Sequence, residues 1–142
     1  PEIILAGRRL NDSMGDYVAS EVVKLMISKD IPIKNASILV LGITFKENCP
    51  DVRNTKAVDL VKALKDYGTN ITIHDPWACE DEVMHEYGLE TSKSLPYEKF
   101  DAIVLTVAHD VFINVDLSIL KKENAIIYDV KGVLGDEADA KL

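Results

Sequence analysis

The stretch SILVLGITFKENCPDVRNTK, residues 37–56, decides the fold class of this 142-residue chain. It begins as a continuous aliphatic run, which is typical of a parallel strand covered on both faces. The run stops at Gly42, and a long polar turn follows. Residues 55–68, TKAVDLVKALKDYG, then predict an amphipathic helix that ends at a glycine. A strand, a turn and a helix in this order form the first half of a βαβ unit.

Three further apolar segments predict strands, namely NITIHDP (70–76), DAIVLTVA (101–108) and AIIYDVKG (125–132). Helices are predicted over residues 80–88 and, after a loop, within residues 110–123. Short strands that alternate with helices predict a parallel sheet with right-handed crossovers. We therefore predict an α/β fold, a Rossmann-like parallel sheet with helices on both faces. The last ten residues are acidic and are predicted to be poorly ordered.

One more helix is predicted over residues 11–29, ahead of the first strand. Its apolar side chains recur at steps of three and four residues and comprise Met14, Tyr17, Val18, Val22, Val23, Leu25, Met26 and Ile27. Gly15 weakens this helix slightly, because glycine costs about 1 kcal/mol relative to alanine inside a helix. A face this broad predicts burial on two sides, against its own domain and against something else.

The composition, with 47% hydrophobic and 28% charged residues, is that of one folded domain. A net charge of −8 argues against nucleic acid or an anionic membrane surface as a partner. Cys49 and Cys79 have no metal-ligand or CxxC spacing, so we interpret them as reduced thiols in a cytoplasmic protein, with no metal site. Because the sequence opens at Pro1 rather than at a methionine, we expect a piece of a longer protein.

The turn after the first strand is basic within this acidic chain. Lys46, Arg53 and Lys56 stand there against Glu47 and Asp51. A lysine at a strand end reaches a phosphate as a point charge, and an arginine binds one bidentately. Lys131 follows the last predicted strand, so it should share the carboxyl edge of the sheet with Lys46.

Other interpretations of these residues remain open from the sequence alone. The Phe45 ring could equally be buried as a plug that packs beneath the sheet or contact a ligand. Lys46 and Arg53 could pair with Glu47 and Asp51 as a solvated network. Asp75 is interpreted as a turn residue. His109 follows a strand end and could contact a ligand, but loop histidines usually contact water, which is the expectation here. Cys49 has no neighbouring histidine to act as its base, which argues against a nucleophile.

A dinucleotide-binding turn requires the pattern G-x-G-x-x-G, which lets backbone amides approach the pyrophosphate. Here Gly42 is followed by Ile43, Thr44 and Phe45, with no second glycine. We therefore do not expect this domain to bind NAD on its own.

The segment LGITFKENCPDVRNTKAVDLVKAL (41–64), with the later IHDP (73–76) and YDVKG (128–132), resembles the C-terminal UDP-binding domain of the UDP-glucose/GDP-mannose dehydrogenase family. The AGRRLND, TFKENCPDVRNTK and HDPWA stretches are most similar to bacterial UDP-N-acetylhexosamine (GlcNAc or GalNAc) 6-dehydrogenases of surface-polysaccharide and capsule synthesis. The resemblance spans about residues 6–142.

The resemblance implies an NAD-dependent oxidoreductase that converts the C6 hydroxymethyl of a UDP-sugar to a carboxylate by two hydride transfers. In that family an N-terminal domain binds NAD, and a central region carries the catalytic cysteine and lysine. Neither the glycine-rich turn nor that cysteine motif occurs here. The resemblance therefore implies no catalytic residue in this chain, and a domain whose part is to hold the substrate.

The resemblance also implies roles for individual residues. Phe45 and Lys46 would contact the UDP-sugar, and Arg53 would reach the NAD bound by the partner domain. Lys131 stands where the family commonly has the arginine of a D-x-R pattern, so this assignment departs from the family. Residues 1–30 would form the connector helix, which carries the homodimer interface, and residues 31–142 the C-terminal domain.

Two rival functions come from other classes. A receiver-like signalling domain shares the wound sheet, and Thr106 and Lys131 suit it, but it requires paired acids where this chain has Gly42 and Ile43. A structural dimerisation domain without a ligand would make the basic turn only a salt-bridged loop. Titration with UDP separates the second rival from a binding domain.

Overall fold

The computed structural model describes residues 14–142, which form a five-stranded parallel sheet and its helices. The elements are α1 (Met14–Ser28), β1 (Ser37–Leu41), α2 (Ala57–Asp66), β2 (Asn70–His74), α3 (Glu80–Tyr87), β3 (Phe100–Leu105), α4 (Asp110–Ile113), β4 (Lys121–Asp129) and β5 (Ala140–Lys141). Two 3-10 turns, Leu117–Leu120 and Gly135–Glu137, flank β4. The start of the first predicted helix and the AGRRLND stretch lie outside the described residues.

The strand order is β2-β1-β3-β4-β5, and every pairing is parallel. The predicted α/β, Rossmann-like sheet is therefore confirmed. From β1 the chain goes to β2 on one side of it, and from β2 it crosses over to β3 on the other side of β1. This reversal opens a crevice at the carboxyl ends of β1 and β3, which is where open α/β sheets bind ligands.

Successive side chains of each strand point to opposite faces of the sheet, so they contribute to two separate hydrophobic layers. Ile38 and Val40 of β1 belong to the layer that contains the buried faces of α1 and α2. Leu39 and Leu41 belong to the opposite layer, which Phe112 of α4 and the 3-10 turn Leu117–Leu120 cover. Both faces of the sheet are thus closed, and the aliphatic character of β1 follows from this.

Helix α1 packs directly on α2. Gly15 is buried at this contact, where an added Cβ would lie 2.8 Å from the backbone nitrogen of Leu60. The helix is therefore part of the same core as the sheet, while Tyr17 and Ile27 on its other side are 52% and 58% exposed. The predicted division into a connector over residues 1–30 and a domain over residues 31–142 stays a prediction. No helix within residues 14–142 combines the length and the apolar character needed to cross a bilayer.

The prediction of a poorly ordered C-terminus is wrong. Ala140 and Lys141 form β5 beside β4. The Asp139 carboxylate accepts the backbone N–H of Ile127 at 2.7 Å, and the Leu142 N–H donates to the Asp129 carbonyl at 3.3 Å. The pairing with β4 and these two hydrogen bonds, one to a side chain and one between backbone groups, order an acidic segment that has few apolar side chains of its own.

The helix predicted within residues 110–123 shrinks to α4 and a 3-10 turn, and β4 begins at Lys121 rather than at residue 125. The β-branched residues Val111, Ile113 and Val115 disfavour a helix here. Asp116 also ends it, because its carboxylate accepts the backbone N–H of Ser118 and starts a separate 3-10 turn.

Candidate functional site

The turns after β1 and β3 meet at the reversal of strand order. Gly42 has a φ of 103°, and a Cβ added to it would lie 2.5 Å from the Cβ of Val107. The Thr106 hydroxyl donates to the Leu41 carbonyl at 3.0 Å and also contacts the Gly42 carbonyl. Only glycine permits this close approach, so the first turn leaves the sheet at a fixed angle.

The buried carboxylate of Asp75, just past β2, organises this turn. Its Oδ2 accepts the backbone N–H groups of Ile43 at 2.7 Å and Thr44 at 3.2 Å. Its Oδ1 accepts those of Trp77 at 2.8 Å and Ala78 at 3.2 Å. Burial works to raise the pKa of Asp75, but hydrogen bonds to its charged form, led by that from His109, hold it below the ordinary value. Asp75 is therefore a turn residue, as predicted, and it binds two turns at once.

The residues of the first turn do not fit the pyrophosphate of NAD. In a dinucleotide-binding turn the amides after the first strand point at phosphate. Here the amides of Ile43 and Thr44 point at the Asp75 carboxylate, which already supplies the negative charge. These occupied amides are a stronger argument against NAD binding in this turn than the missing glycines of the sequence pattern.

His109 follows β3 and is fully buried, so the expectation that it contacts water is wrong. Its Nδ1 accepts the backbone N–H of Asn48 at 2.8 Å. Its Nε2 lies 3.1 Å from Oδ2 of Asp75 and 3.2 Å from Oγ1 of Thr44. Because Nδ1 serves as an acceptor, the bonds assign the proton of the neutral ring to Nε2.

Phe45 and Lys46 stand exposed on this fixed turn. Phe45 is 56% exposed, which excludes the interpretation of its ring as a plug beneath the sheet. The Phe45 N–H donates to the Asp51 carbonyl at 2.7 Å, and the Thr44 hydroxyl donates to the Lys46 carbonyl at 3.0 Å. The turn therefore closes on itself and presents an aromatic ring and an ammonium group outward.

Arg53 is bound to Asp51, as the network interpretation predicted. Its Nε lies 3.0 Å from Oδ1 and its Nη2 lies 3.3 Å from Oδ2. The hydrogen bond from Arg53 lowers the pKa of Asp51, and Lys46 adds to this effect. Arg53 borders an open groove of about 650 Å³, whose other wall carries the acidic side chains Asp81, Glu82 and Glu86 of α3.

Lys131 lies past β4 in a turn built like that of Asp75. The Asp129 carboxylate is buried and accepts the N–H groups of Lys131 at 3.1 Å, Gly132 at 2.8 Å and Leu134 at 2.7 Å. The Lys131 side chain is exposed and borders a cavity of about 240 Å³ that is also lined by Lys56 and Thr106.

The prediction that Lys46 and Lys131 share one edge of the sheet is confirmed, because β1 and β4 are parallel members of it. One strand separates the two, so their strand ends lie about 10 Å apart. The cavity that Lys131 lines is not lined by Phe45 or Lys46, and Arg53 borders a different groove. The four predicted residues are thus spread along the edge.

Sequence reasoning missed the buried aspartate Asp129 and the coupling of Asp75 to His109. One signal was available, since Asp75 directly follows β2 and Asp129 is the last residue of β4, both of which carry apolar residues near their carboxyl ends. No comparable signal marks His109, whose burial depends on the loops that cover it.

A parallel α/β sheet with fixed, partly cationic turns at its reversal point defines a Rossmann-like domain of the ligand-binding class. The family model for the UDP binding domain of the UDP-glucose/GDP-mannose dehydrogenase family matches residues 39–136. The chain belongs to this family, and the resemblance drawn from its motifs is confirmed.

Two relatives and one solved structure illustrate the match. The chain is 45% identical over 146 residues to UDP-N-acetyl-D-glucosamine 6-dehydrogenase of Pseudomonas aeruginosa, covering 100% of this chain and 35% of that protein. It is 44% identical over 146 residues to the Salmonella typhi enzyme of the same name, covering 100% of this chain and 34% of that protein. The crystal structure of NDP-N-acetyl-D-galactosaminuronic acid dehydrogenase from Methanosarcina mazei has the same fold, with a TM-score of 0.81 at 22% identity, covering 91% of this chain and 27% of that one. The chain thus spans about a third of these relatives.

Proposed function

We propose that this chain is the substrate-holding domain of an NAD-dependent UDP-N-acetylhexosamine 6-dehydrogenase of polysaccharide synthesis in the cytoplasm. Membership of the family and the similarity to UDP-N-acetyl-D-glucosamine 6-dehydrogenases support the substrate class. Other domains of the same protein would supply the NAD site and the catalytic cysteine, and the enzyme would act as a homodimer.

The observation that carries this proposal is the exposed Phe45–Lys46 pair at the reversal of strand order. A phenylalanine that is 56% exposed on a rigid turn offers a flat apolar surface to a base or sugar ring. The adjacent ammonium group offers a charge to the diphosphate, and a charge-assisted hydrogen bond contributes roughly 1.5–3 kcal/mol.

Lys131 would contribute a second charge from the turn after β4. The Asp129 carboxylate fixes its backbone, so only the side chain must be ordered on binding. Arg53 would serve the NAD of the partner domain. To do so it must leave Asp51, an exchange that an exposed ion pair permits at small cost.

NAD, bound mainly by the other domains, would supply the hydride acceptor for the oxidation at C6 of the sugar. This chain's residues would bind the diphosphate, exclude water when the domains close, and hold C6 in line with the nicotinamide. None of them would take part in bond making.

Calorimetric titration of the chain with UDP tests the proposal. We expect weak binding that weakens further with salt, and an affinity for uridine that is lower still, because the diphosphate provides the charge contacts. Lys46→Ala should reduce UDP affinity by about tenfold, the equivalent of ~1.4 kcal/mol. Lys24→Ala, on the exposed face of α1, is the control. A folded chain that gives no binding signal at millimolar UDP would favour the structural dimerisation domain.

The full-length enzyme tests the division of labour. Lys46→Ala should raise KM for the nucleotide sugar more than KM for NAD, and Arg53→Ala should do the reverse. If neither substitution changes either constant, the residue assignments are wrong.

A further inference from the structure

We propose that His109 is a positioning residue for nucleotide recognition, which fixes the turn that presents Phe45 and Lys46. The inference rests on the proposed function and extends it to a residue whose side chain is fully buried and therefore inaccessible to a ligand at the surface. Its role follows from what its two ring nitrogens hold.

The first nitrogen anchors the tip of the turn. Nδ1 of His109 accepts the N–H of Asn48 at 2.8 Å, two residues beyond Lys46. Asn48 has a φ of 55°, a conformation that asparagine adopts more readily than most residues. Its Oδ1 also accepts the N–H of Asp110 at 3.1 Å. The turn after β1 is thereby tied at its tip to the start of α4.

The second nitrogen holds the ring itself. Nε2 lies 3.1 Å from Oδ2 of Asp75 and 3.2 Å from Oγ1 of Thr44. The ring is stacked at 27° on Trp77, with centroids 6.1 Å apart, and Phe112 packs on it at 5.3 Å. Because both ring nitrogens are hydrogen-bonded and two aromatic rings pack on the imidazole, the position of Asn48 is set by the core rather than by the loop.

This arrangement explains how an exposed turn can favour a ligand. A mobile turn would lose conformational freedom on binding, and that loss would weaken affinity. The bond to His109 restricts the turn during folding instead, so Phe45 and Lys46 are in place before the ligand arrives.

Two substitutions separate the two nitrogens. His109→Asn places Oδ1 near the position of Nδ1 and retains the acceptor for Asn48, but it loses the group that faces Asp75. His109→Gln does the opposite. His85→Gln, on the exposed face of α3, is the matched control.

Amide hydrogen exchange in the ligand-free chain gives the first result. We expect His109→Gln to lower protection of the Asn48 amide by about tenfold, whereas His109→Asn and the control stay within about threefold of wild type. Unchanged protection in His109→Gln overturns the positioning role, whatever happens with UDP.

Calorimetry with UDP gives the second result. His109→Gln should weaken UDP binding by about tenfold and His109→Asn by less than about threefold, and in the full-length enzyme His109→Gln should raise KM for the nucleotide sugar without changing KM for NAD. Equal loss of UDP affinity in both variants would indicate a structural role only and overturn the proposal. A wild-type chain that binds no UDP defeats the proposed function, and the recognition role falls with it.

Nitrogen-15 NMR of the wild-type chain shows which ring nitrogen of His109 carries the proton. It needs no substitution, so it tests the inference even if a variant fails to fold. We expect a protonated-type shift at Nε2 of His109 and an unprotonated-type shift at Nδ1. A proton on Nδ1 would prevent that nitrogen from accepting the Asn48 N–H and would overturn the inference.

Discussion

The carboxylate of Asp75 accepts the backbone N–H of Ile43 at 2.7 Å, although 32 positions separate the two residues in the chain. In a dinucleotide-binding turn, amides at this place would face a phosphate. Here the anion belongs to the protein, so the turn is complete without a ligand. The proposed ligand contacts therefore fall to exposed side chains of the turn, namely those of Phe45 and Lys46.

Asp75→Asn should destabilise the chain by roughly 2–4 kcal/mol at neutral pH, because an amide NH₂ would face backbone donors in a buried site. The native pKa of Asp75 lies below the ordinary 3.8, so its contribution to stability is present above that pH and is lost as pH falls through the native pKa. Urea denaturation at a series of acidic pH values should therefore show that the difference in free energy of unfolding between wild type and variant becomes smaller below pH 3.8.

Asp136→Asn, at an exposed position, serves as the control and should show no such gap at any pH. If the difference in free energy of unfolding between wild type and Asp75→Asn stays constant down to the lowest pH, the charge of Asp75 contributes nothing to stability.

His74 should make stability depend on pH in a higher range. Burial lowers its pKa from 6.5, and its Nδ1 lies 3.0 Å from the Ser92 carbonyl. The folded chain favours the neutral ring, so this stability is present above pH 6.5 and is lost as pH falls toward the lower native pKa.

His74→Asn keeps a donor for the Ser92 carbonyl and removes the titration. The free energy of unfolding, measured by urea at about pH 7.5 and about pH 5.5, should therefore fall less in this variant than in wild type. His85→Asn, which is exposed, should leave the wild-type difference intact. If His74→Asn and wild type lose the same amount, the burial of His74 does not set this dependence.

Gly42→Ala should cost at least ~2 kcal/mol more than Gly88→Ala. Both glycines have positive φ, so both substitutions strain the backbone. Only at Gly42 does the added Cβ also meet another side chain, that of Val107 at 2.5 Å, whereas nothing lies within 4 Å at Gly88. Chemical denaturation of the two variants makes the comparison, and equal costs would contradict the close approach of the two turns.

Gly15→Ala should destabilise the chain by about 1–3 kcal/mol, although the same change at a free helix position stabilises by about 1 kcal/mol. The reason is the contact of α1 with α2, where the added Cβ would lie 2.8 Å from the Leu60 nitrogen. Asp16→Ala, at the exposed neighbour, is the control. A more stable Gly15→Ala variant would show that α1 does not dock on α2 in solution.

Most of the fold was predictable because each element carries its own local signal. The aliphatic run of β1 and the amphipathic pattern of α2 predicted a parallel α/β unit, and parallel strands brought Lys46 and Lys131 to one edge. The predictions that were wrong concerned elements with weak local signals. The strand β5 is held by bonds to Ile127 and Asp129 rather than by its own apolar residues.

By itself, the sequence determined the sheet, its direction and the presence of cations at its carboxyl edge, since hydrophobic periodicity and strand ends are local properties of the chain. Only the tertiary structure decided that Asp75 closes the first turn and that His109 is buried behind it. Those hydrogen bonds join residues that lie 31 to 65 positions apart. The burial of a polar side chain depends on what packs over it, which no short stretch of sequence specifies.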